Sequence, residues 1–366
     1  MKKIKVYLQY PWKVSDSQYY KSIIDNPPKT VSYLNIRKTE GMIVNKRSLL
    51  FFNFIKRQVR NLTKKLKLVL VNAHETKINE GVDLIHCAHC LSKNKNIPWV
   101  ADFESWWQMW LSGGDKKKGK EKVLEILKRK QCKKIIAWTP YEKDKIEKMF
   151  PQIKNKLEVV TFAMPLPKER KKRHNNIVLL YVSRYFYKKG GLHTLEVFDR
   201  ITKKEKNVQA IFVSNTPKDL LEKYSQNNKI KFFGLMPHSE IKKKIFPAAD
   251  IFVYPGYSDT FGFVFVEALS FGLPVVTVDG FSRKYIIEDE KTGYIVNKEK
   301  EIDPDKIGEA EEEIIQRLVG KTVKLIKNKK LINQMSKNCI EEVKNGKFSI
   351  TKRNKKLEKI YMEVIK

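Results

Sequence analysis

Short apolar runs rich in β-branched residues alternate along the chain with longer amphipathic ones. In the first half, IKVYLQY (4–10), KLVLVNA (67–73), VDLIHC (82–87), IPWVAD (97–102), KKIIAW (133–138) and LEVVTF (157–162) predict strands. Several are apolar on consecutive positions, the pattern of strands covered on both faces in a parallel sheet. Helices are predicted over 48–66, 119–130 and 140–149, the last entered through Thr139-Pro140. Residues 163–176, AMPLPKERKKRHNN, are dense in proline and charge, show little periodicity, and read as an interdomain linker. The alternation then restarts. NIVLLYVS (176–183), NVQAIFVS (207–214), KIKFFG (229–234), DIFVYPG (250–256), PVVTVD (274–279) and GYIVN (293–297) predict strands, and three helices are expected beyond 303. The expectation is an α/β protein of two Rossmann-like β/α domains facing each other across a cleft. The first spans 1–165 and is completed by a C-terminal helix at 349–366; the second spans 176–346.

The chain has 366 residues, 42% of them hydrophobic, enough for a core in each half. Its charge is unusual: 74 Lys+Arg face 41 Asp+Glu, for a net charge of +33. Two readings of that excess stand side by side. A basic surface attracts phosphates, whether on nucleotides, anionic lipids or nucleic acid, while a lysine-rich proteome gives the same excess with no ligand. Nucleic acid is disfavoured, because no recognised module or aromatic–basic ribbon accompanies the charge. The segment 48–67, SLLFFNFIKRQVRNLTKKLK, places Phe52, Ile55, Val59, Leu62 and Leu66 on one helical face with basic residues around them. It suits either a core-packed helix or docking on an anionic membrane surface. Four irregularly spaced cysteines argue for a reducing compartment. MKKIKVYLQYPW has no apolar core of a signal peptide, and no apolar run approaches the ~20 residues that span a bilayer. A cytoplasmic protein, at most peripheral to the inner face of a membrane, is expected.

The densest chemical signal is DIFVYPGYSDTFGFVFVEALSFGLPVV (250–276). A buried strand ends in Pro255-Gly256, a polar loop follows, and Phe261-Gly262-Phe263 leads into a short helix carrying Glu267. Glycine lets backbone approach a ligand, and a helix N-terminus offers N–H groups to an anion. Two carboxylates thus frame a glycine loop where α/β sheets bind ligands.

Here the chain resembles the retaining GT-B-fold glycosyltransferases of family 4 (glycosyltransferase group 1). Their signature places two acids eight residues apart within E-G-F-G-x-x-x-x-E-A-x-x-x-G-x-P-V-V. Asp259 and Glu267 hold the acid positions, and Ala268, Gly272, Pro274, Val275 and Val276 match. The first acid is Asp where the family has Glu. The resemblance implies that Asp259 contacts the donor sugar and Glu267 the ribose, with Phe261, Gly262 and Phe263 shaping the site. Upstream, LLYVSRYFYKKGG resembles V-G-R-x-x-x-x-K-G, which implies Arg184, Lys189 and Gly190 at the donor diphosphate. KIKFFGLMPHSEIKKKIFPAAD matches a further block, where Leu235 and Met236 are candidates either for packing on the base or for the core. In the loop after 276, Phe281-Ser282 replace the usual Gly-Gly and Tyr285 replaces Glu. That change leaves room for an unusual donor, with Arg283 or Lys284 nearby.

The N-terminal half resembles the family more weakly. Its 82–107 stretch follows D-x-I-H … P-x-V-x-x-x-H, with Glu104 where a His often sits and Asp102 beside it. Either acid is a candidate contact to the reacting sugar or the acceptor, or part of the structure. The glycine-rich loop after the first strand is replaced by YPWKVSDSQYY. His86, Cys87, His89 and Cys90 look like metal ligands, but Cys132 and Cys339 form no second pair, and structural zinc usually wants two. Asp303-Pro304-Asp305 is read as capping a helix. No metal and no cofactor are expected.

The function implied is transfer of a sugar, with retention of configuration, from a nucleotide-diphosphate sugar to a carbohydrate, a lipid-linked glycan or a small molecule. Within the same fold a nucleotide-sugar epimerase needs no acceptor, and a phosphorylase needs phosphate or a cofactor lysine.

Overall fold

The computed structural model describes residues 3–9, 18–36, 58, 65–66, 68–78, 81–114, 116–168 and 175–366. The chain divides into an N-terminal unit, Met1–Ala163 with Lys347–Lys366, and a C-terminal unit, Met164–Gly346. The segment 48–66 assigned to an amphipathic helix lies almost wholly outside the described residues. Among the described residues no helix is long and apolar enough to cross a membrane.

Each unit is built on one six-stranded sheet whose paired strands all run parallel. In the N-terminal unit the strands are β1 (Ile4–Gln9), β2 (Val31–Leu34), β3 (Leu84–Ala88), β4 (Trp99–Phe103), β5 (Cys132–Ala137) and β6 (Leu157–Val159). Their order is β6-β5-β4-β3-β1-β2. The helices are α1 (Gln18–Asp25), α2 (Lys117–Lys128) and α3 (Pro140–Met149). Every residue of β3 and β4 is buried, as their unbroken apolar runs require. α3 starts where the sequence places it: the Thr139 side chain accepts from the Glu142 N–H at 3.3 Å, and Pro140 fills a first-turn position that needs no donor.

The C-terminal unit contains β7 (Ile177–Ser183), β8 (Val208–Ser214), β9 (Ile230–Phe233), β10 (Ile251–Val253), β11 (Val275–Val278) and β12 (Gly293–Val296). Their order, β9-β8-β7-β10-β11-β12, reverses direction between β7 and β10. Its helices are α4 (Gly191–Lys204), α5 (Lys218–Ser225), α6 (Phe263–Ser270), α7 (Glu309–Ile326) and α8 (Lys329–Lys344). α9 (Ile350–Ile365) then belongs to the N-terminal unit. It buries Leu357, Ile360, Tyr361 and Val364 at helical spacing, and Arg353 donates to Ser22 Oγ and to the Asn26 carbonyl, both at 2.6 Å.

Several expectations need correction. YPWKVSDSQYY is not loop throughout: Gln18 opens α1, whose Tyr19 and Tyr20 are buried. The four-residue edge strand β2 was not foreseen. KLVLVNA does not join the main sheet; Leu70–Val71 and Ala73–His74 form separate two-residue ladders. Asn72 between them is buried and donates to the carbonyls of His89 at 2.6 Å and Gln108 at 2.8 Å. Asp303 does not cap a helix either. α7 begins at Glu309, and Glu311 reaches back to the Gly308 N–H at 3.0 Å, while Asp303 Oδ1 takes the Asp305 N–H at 3.0 Å.

Candidate active site

The reversal of strand order in the C-terminal unit places the loops after β7 and β10 side by side, which is where doubly wound sheets bind ligands. The first loop carries Arg184 to Gly190. Gly190 is left-handed, at φ +82°, and a Cβ there would sit 2.7 Å from the Pro255 side chain in the second loop. Glycine is required because the two loops touch. They are also bonded: the Gly256 N–H donates to the Lys189 carbonyl at 3.1 Å, and Ser258 Oγ donates to that of Lys188 at 3.0 Å.

These bonds bring Lys189 and Asp259 together. Lys189 Nζ lies 2.5 Å from Asp259 Oδ1, with both side chains about 15% exposed (16% and 15%). The buried Tyr254 hydroxyl donates to Asp259 Oδ2 at 2.7 Å. Both carboxylate oxygens are therefore held. Arg184, at the end of β7, is half-buried and lies 5.9 Å from the centre of the Tyr185 ring; it has no ion pair among the described residues. A basic group without an acid beside it suits a phosphate.

The loop continues through buried Phe261 to Gly262, left-handed at φ +77°, where a Cβ would press on the Phe265 ring at 2.7 Å. Half-buried Phe263 then opens α6. Glu267 sits in the second turn, buried, with His238 Nε2 at 2.5 Å and Lys242 Nζ at 3.8 Å from Oε1. Burial alone would push this carboxyl up, but the His238 ring and Lys242 outweigh it and hold Glu267 below the usual carboxylate range. His238 went unnoticed in the sequence because its partner lies 29 residues away. Leu235 and Met236 are half-buried in the loop after β9, outside the core.

Where the sequence departs from the family pattern, Phe281 adopts φ +47°, a conformation that favours the glycine it replaces. Ser282 and Arg283 are buried, Tyr285 is half-buried, and Lys284 pairs with Asp279 at 2.9 Å.

In the N-terminal unit the two candidate acids separate. Asp102 and His86 are both 0% exposed, 3.0 Å apart, and Tyr20 donates its hydroxyl to Asp102. His86 Nδ1 also meets the Tyr361 hydroxyl of α9 at 2.6 Å. Both carboxylate oxygens of Asp102 are thus engaged inside the unit. Glu104, after β4, is half-buried. Beside it lies buried Glu142, whose carboxyl is pushed up to about 7 by burial and further by the Glu104 charge. The four cysteines are free and buried, and among the described residues no group of three or more His, Cys, Asp or Glu could hold a metal ion.

Residues 165–339 match the family of glycosyl transferases group 1. The segment contains Arg184, Lys189, Asp259 and Glu267. The chain is 30% identical over 203 residues to an uncharacterized 41.2 kDa protein in the cps region of Klebsiella pneumoniae, covering 50% of this chain and 54% of that one. It is 25% identical over 198 residues to the Escherichia coli UDP-Gal:α-D-GlcNAc-diphosphoundecaprenol α-1,3-galactosyltransferase, covering 53% and 47%. The chain thus spans about half the length of these two relatives. Among solved structures it is similar to a glycosyltransferase from Rickettsia africae (TM-score 0.65, 15% identity, 100% of this chain and 99% of that one). It is also similar to Anabaena HepE in complex with UDP and glucose (TM-score 0.59, 13% identity, 98% and 100%). The fold is the GT-B architecture, built from two Rossmann-like α/β units.

Proposed function

We propose that the chain is a glycosyltransferase that takes a sugar from a nucleotide-diphosphate donor held in the C-terminal unit. It passes the sugar to a carbohydrate or lipid-linked acceptor with retention of configuration. The observation that carries this reading is the Lys189–Asp259 pair at the reversal of strand order and inside the matched segment, with Arg184 in the same loop as Lys189. The UDP-sugar donor and diphosphoundecaprenol-linked acceptor of the Escherichia coli relative, and UDP in the Anabaena structure, support the choice of donor and acceptor class.

Departure of a nucleoside diphosphate builds negative charge on phosphate oxygens. In this reading Arg184 and Lys189 stabilise that charge, and the first turn of α6 adds backbone N–H groups. Lys189 has three donors, so it can keep Asp259 and still reach a phosphate. Asp259 orients the sugar and Glu267 accepts from the ribose. The bond from the anomeric carbon to the phosphate oxygen breaks with its electron pair going to the diphosphate. The acceptor oxygen bonds on the same face, and its proton passes to the departing phosphate. In this reading the two basic side chains need no metal to help them.

The first test is a thermal-shift panel of nucleosides, nucleoside diphosphates and nucleotide-sugars, with and without EDTA. A ligand at ~100 times its Kd adds about 2.7 kcal/mol, or roughly 5–10 °C for a unit of this size. Diphosphates and nucleotide-sugars should shift melting equally with EDTA present, and nucleosides far less. Equal shifts from nucleosides, or none from any compound, would remove the phosphate clamp.

A lipid-linked acceptor would place the protein at the cytoplasmic face of a membrane, with residues 48–66 as the docking segment. We expect sedimentation with anionic vesicles and much less with neutral ones, reduced when Lys56, Arg57, Arg60, Lys64 and Lys65 become Gln. Equal binding to both vesicle types, or none to either, would leave the segment as an ordinary core element.

A further inference from the structure

Arg283 is one of the largest fully buried side chains in the protein, 2% exposed, in the loop after β11. Its guanidinium has no ion-pair partner among the described residues. Instead Nε donates to the Val278 carbonyl at 3.1 Å, Nη2 donates to the Gly256 carbonyl at 2.8 Å, and the group lies 4.0 Å from the centre of the Phe265 ring of α6. Burial pushes its pKa down to about 10, against the opposing pull of Asp259, Tyr254 and Asp279, so it remains a cation at neutral pH. A buried cation without a paired acid is costly, and an apolar side chain would fill the same space without that cost.

The bonds of Gly256 supply a reason for keeping it. The carbonyl that Arg283 grips also accepts the Asp259 N–H at 3.0 Å, and the Gly256 N–H donates to the Lys189 carbonyl at 3.1 Å. Gly256 is left-handed at φ +64°, and a Cβ there would meet Arg283 Nη2 at 2.9 Å. One residue is therefore bonded to both members of the ion pair and to Arg283. The rigid fork of Arg can hold two carbonyls in fixed directions, which a Lys ammonium cannot.

We propose that Arg283 is a positioning residue: through the Gly256 carbonyl it fixes where Asp259 stands, without touching the donor. This rests on the sugar-transfer reading of the site. Misplacing a reacting group by about 1 Å, or losing a supporting bond behind it, costs on the order of 10–100-fold.

The test is a double-mutant cycle between Arg283→Lys and Asp259→Asn. It is read as UDP release from UDP-glucose, UDP-galactose or UDP-N-acetylglucosamine, whichever the wild type turns over. Arg283→Lys alone should lower kcat about 30–100-fold while the Kd for UDP stays within about threefold. In the Asp259→Asn background the same change should cost less than about threefold, because the group it positions is already gone. Arg283→Met should behave alike; if it fails to fold, the Lys variant carries the cycle. Full multiplication of the two losses, or a loss of Arg283→Lys confined to UDP affinity, would overturn this proposal and leave the sugar-transfer reading standing. Unchanged turnover in Asp259→Asn would overturn both.

Discussion

Replacing Lys189 or Arg184 by alanine should each cut kcat/KM about 10²–10³-fold, the scale for losing one fixed donor aimed at developing charge. Lys189 should lie at the upper end. In the proposed reading its loss removes a phosphate contact, and it leaves Asp259, largely buried, with the Tyr254 hydroxyl as its remaining side-chain partner among the described residues. Arg184 has no acid to release, so Arg184→Ala should lose the phosphate contact alone. Lys189→Arg is an informative companion. It keeps the charge but brings a planar fork to a site built for one ammonium at 2.5 Å from Asp259, and it should restore only part of the activity. Steady-state kinetics on the donor found in the thermal panel would check this. Near-normal turnover in both alanine variants would take these residues out of the mechanism.

Much of the fold around the candidate site was legible in the sequence because strand–loop–helix joints carry local signals. Consecutive apolar positions marked β7, β10 and β11; the glycines at 190 and 262, expected to let backbone approach a ligand, are left-handed and pack against Pro255 and Phe265 of this chain. What the sequence hid is what long-range packing decides. His238 meets Glu267 across 29 residues, and Arg283 meets Gly256 across 27. Neither pairing leaves a trace in periodicity. In the N-terminal unit Asp102 is a candidate contact because it stands beside Glu104 in the stretch that resembles the family layout. Only the packing of α1 and α9 shows that Tyr20, His86 and Tyr361 enclose it in a hydrogen-bonded core. β2 and α1 escaped notice for a simpler reason: four and eight residues give too few periods to stand out.

Removing each of the two acids should produce opposite signatures. Glu267 is read as a ribose contact, present in donor and free nucleotide alike. Glu267→Ala should weaken nucleoside diphosphate binding by roughly 1.5–3 kcal/mol, the range for a hydrogen bond to an ionised group. The low pKa direction of Glu267 supports an ionised acceptor there. Asp259 is read as touching only the sugar. Asp259→Ala should leave nucleoside diphosphate affinity unchanged or slightly tighter, since Lys189 no longer shares its charge, while turnover falls about 10²-fold or more. Asp259→Glu should be nearly as damaging. Both oxygens of the shorter acid are held, by Lys189 and by the buried Tyr254, and a longer side chain cannot keep both bonds in place.

Calorimetric titration of the full chain with UDP, on the wild type, Glu267→Ala and Asp259→Ala, tests the central claim most directly. The expected result is binding to the wild type, a loss of affinity of about 10–150-fold in Glu267→Ala, and near wild-type affinity in the inactive Asp259→Ala. Binding abolished by Asp259→Ala but preserved in Glu267→Ala would contradict it, because the nucleotide would then lie where the sugar has been placed.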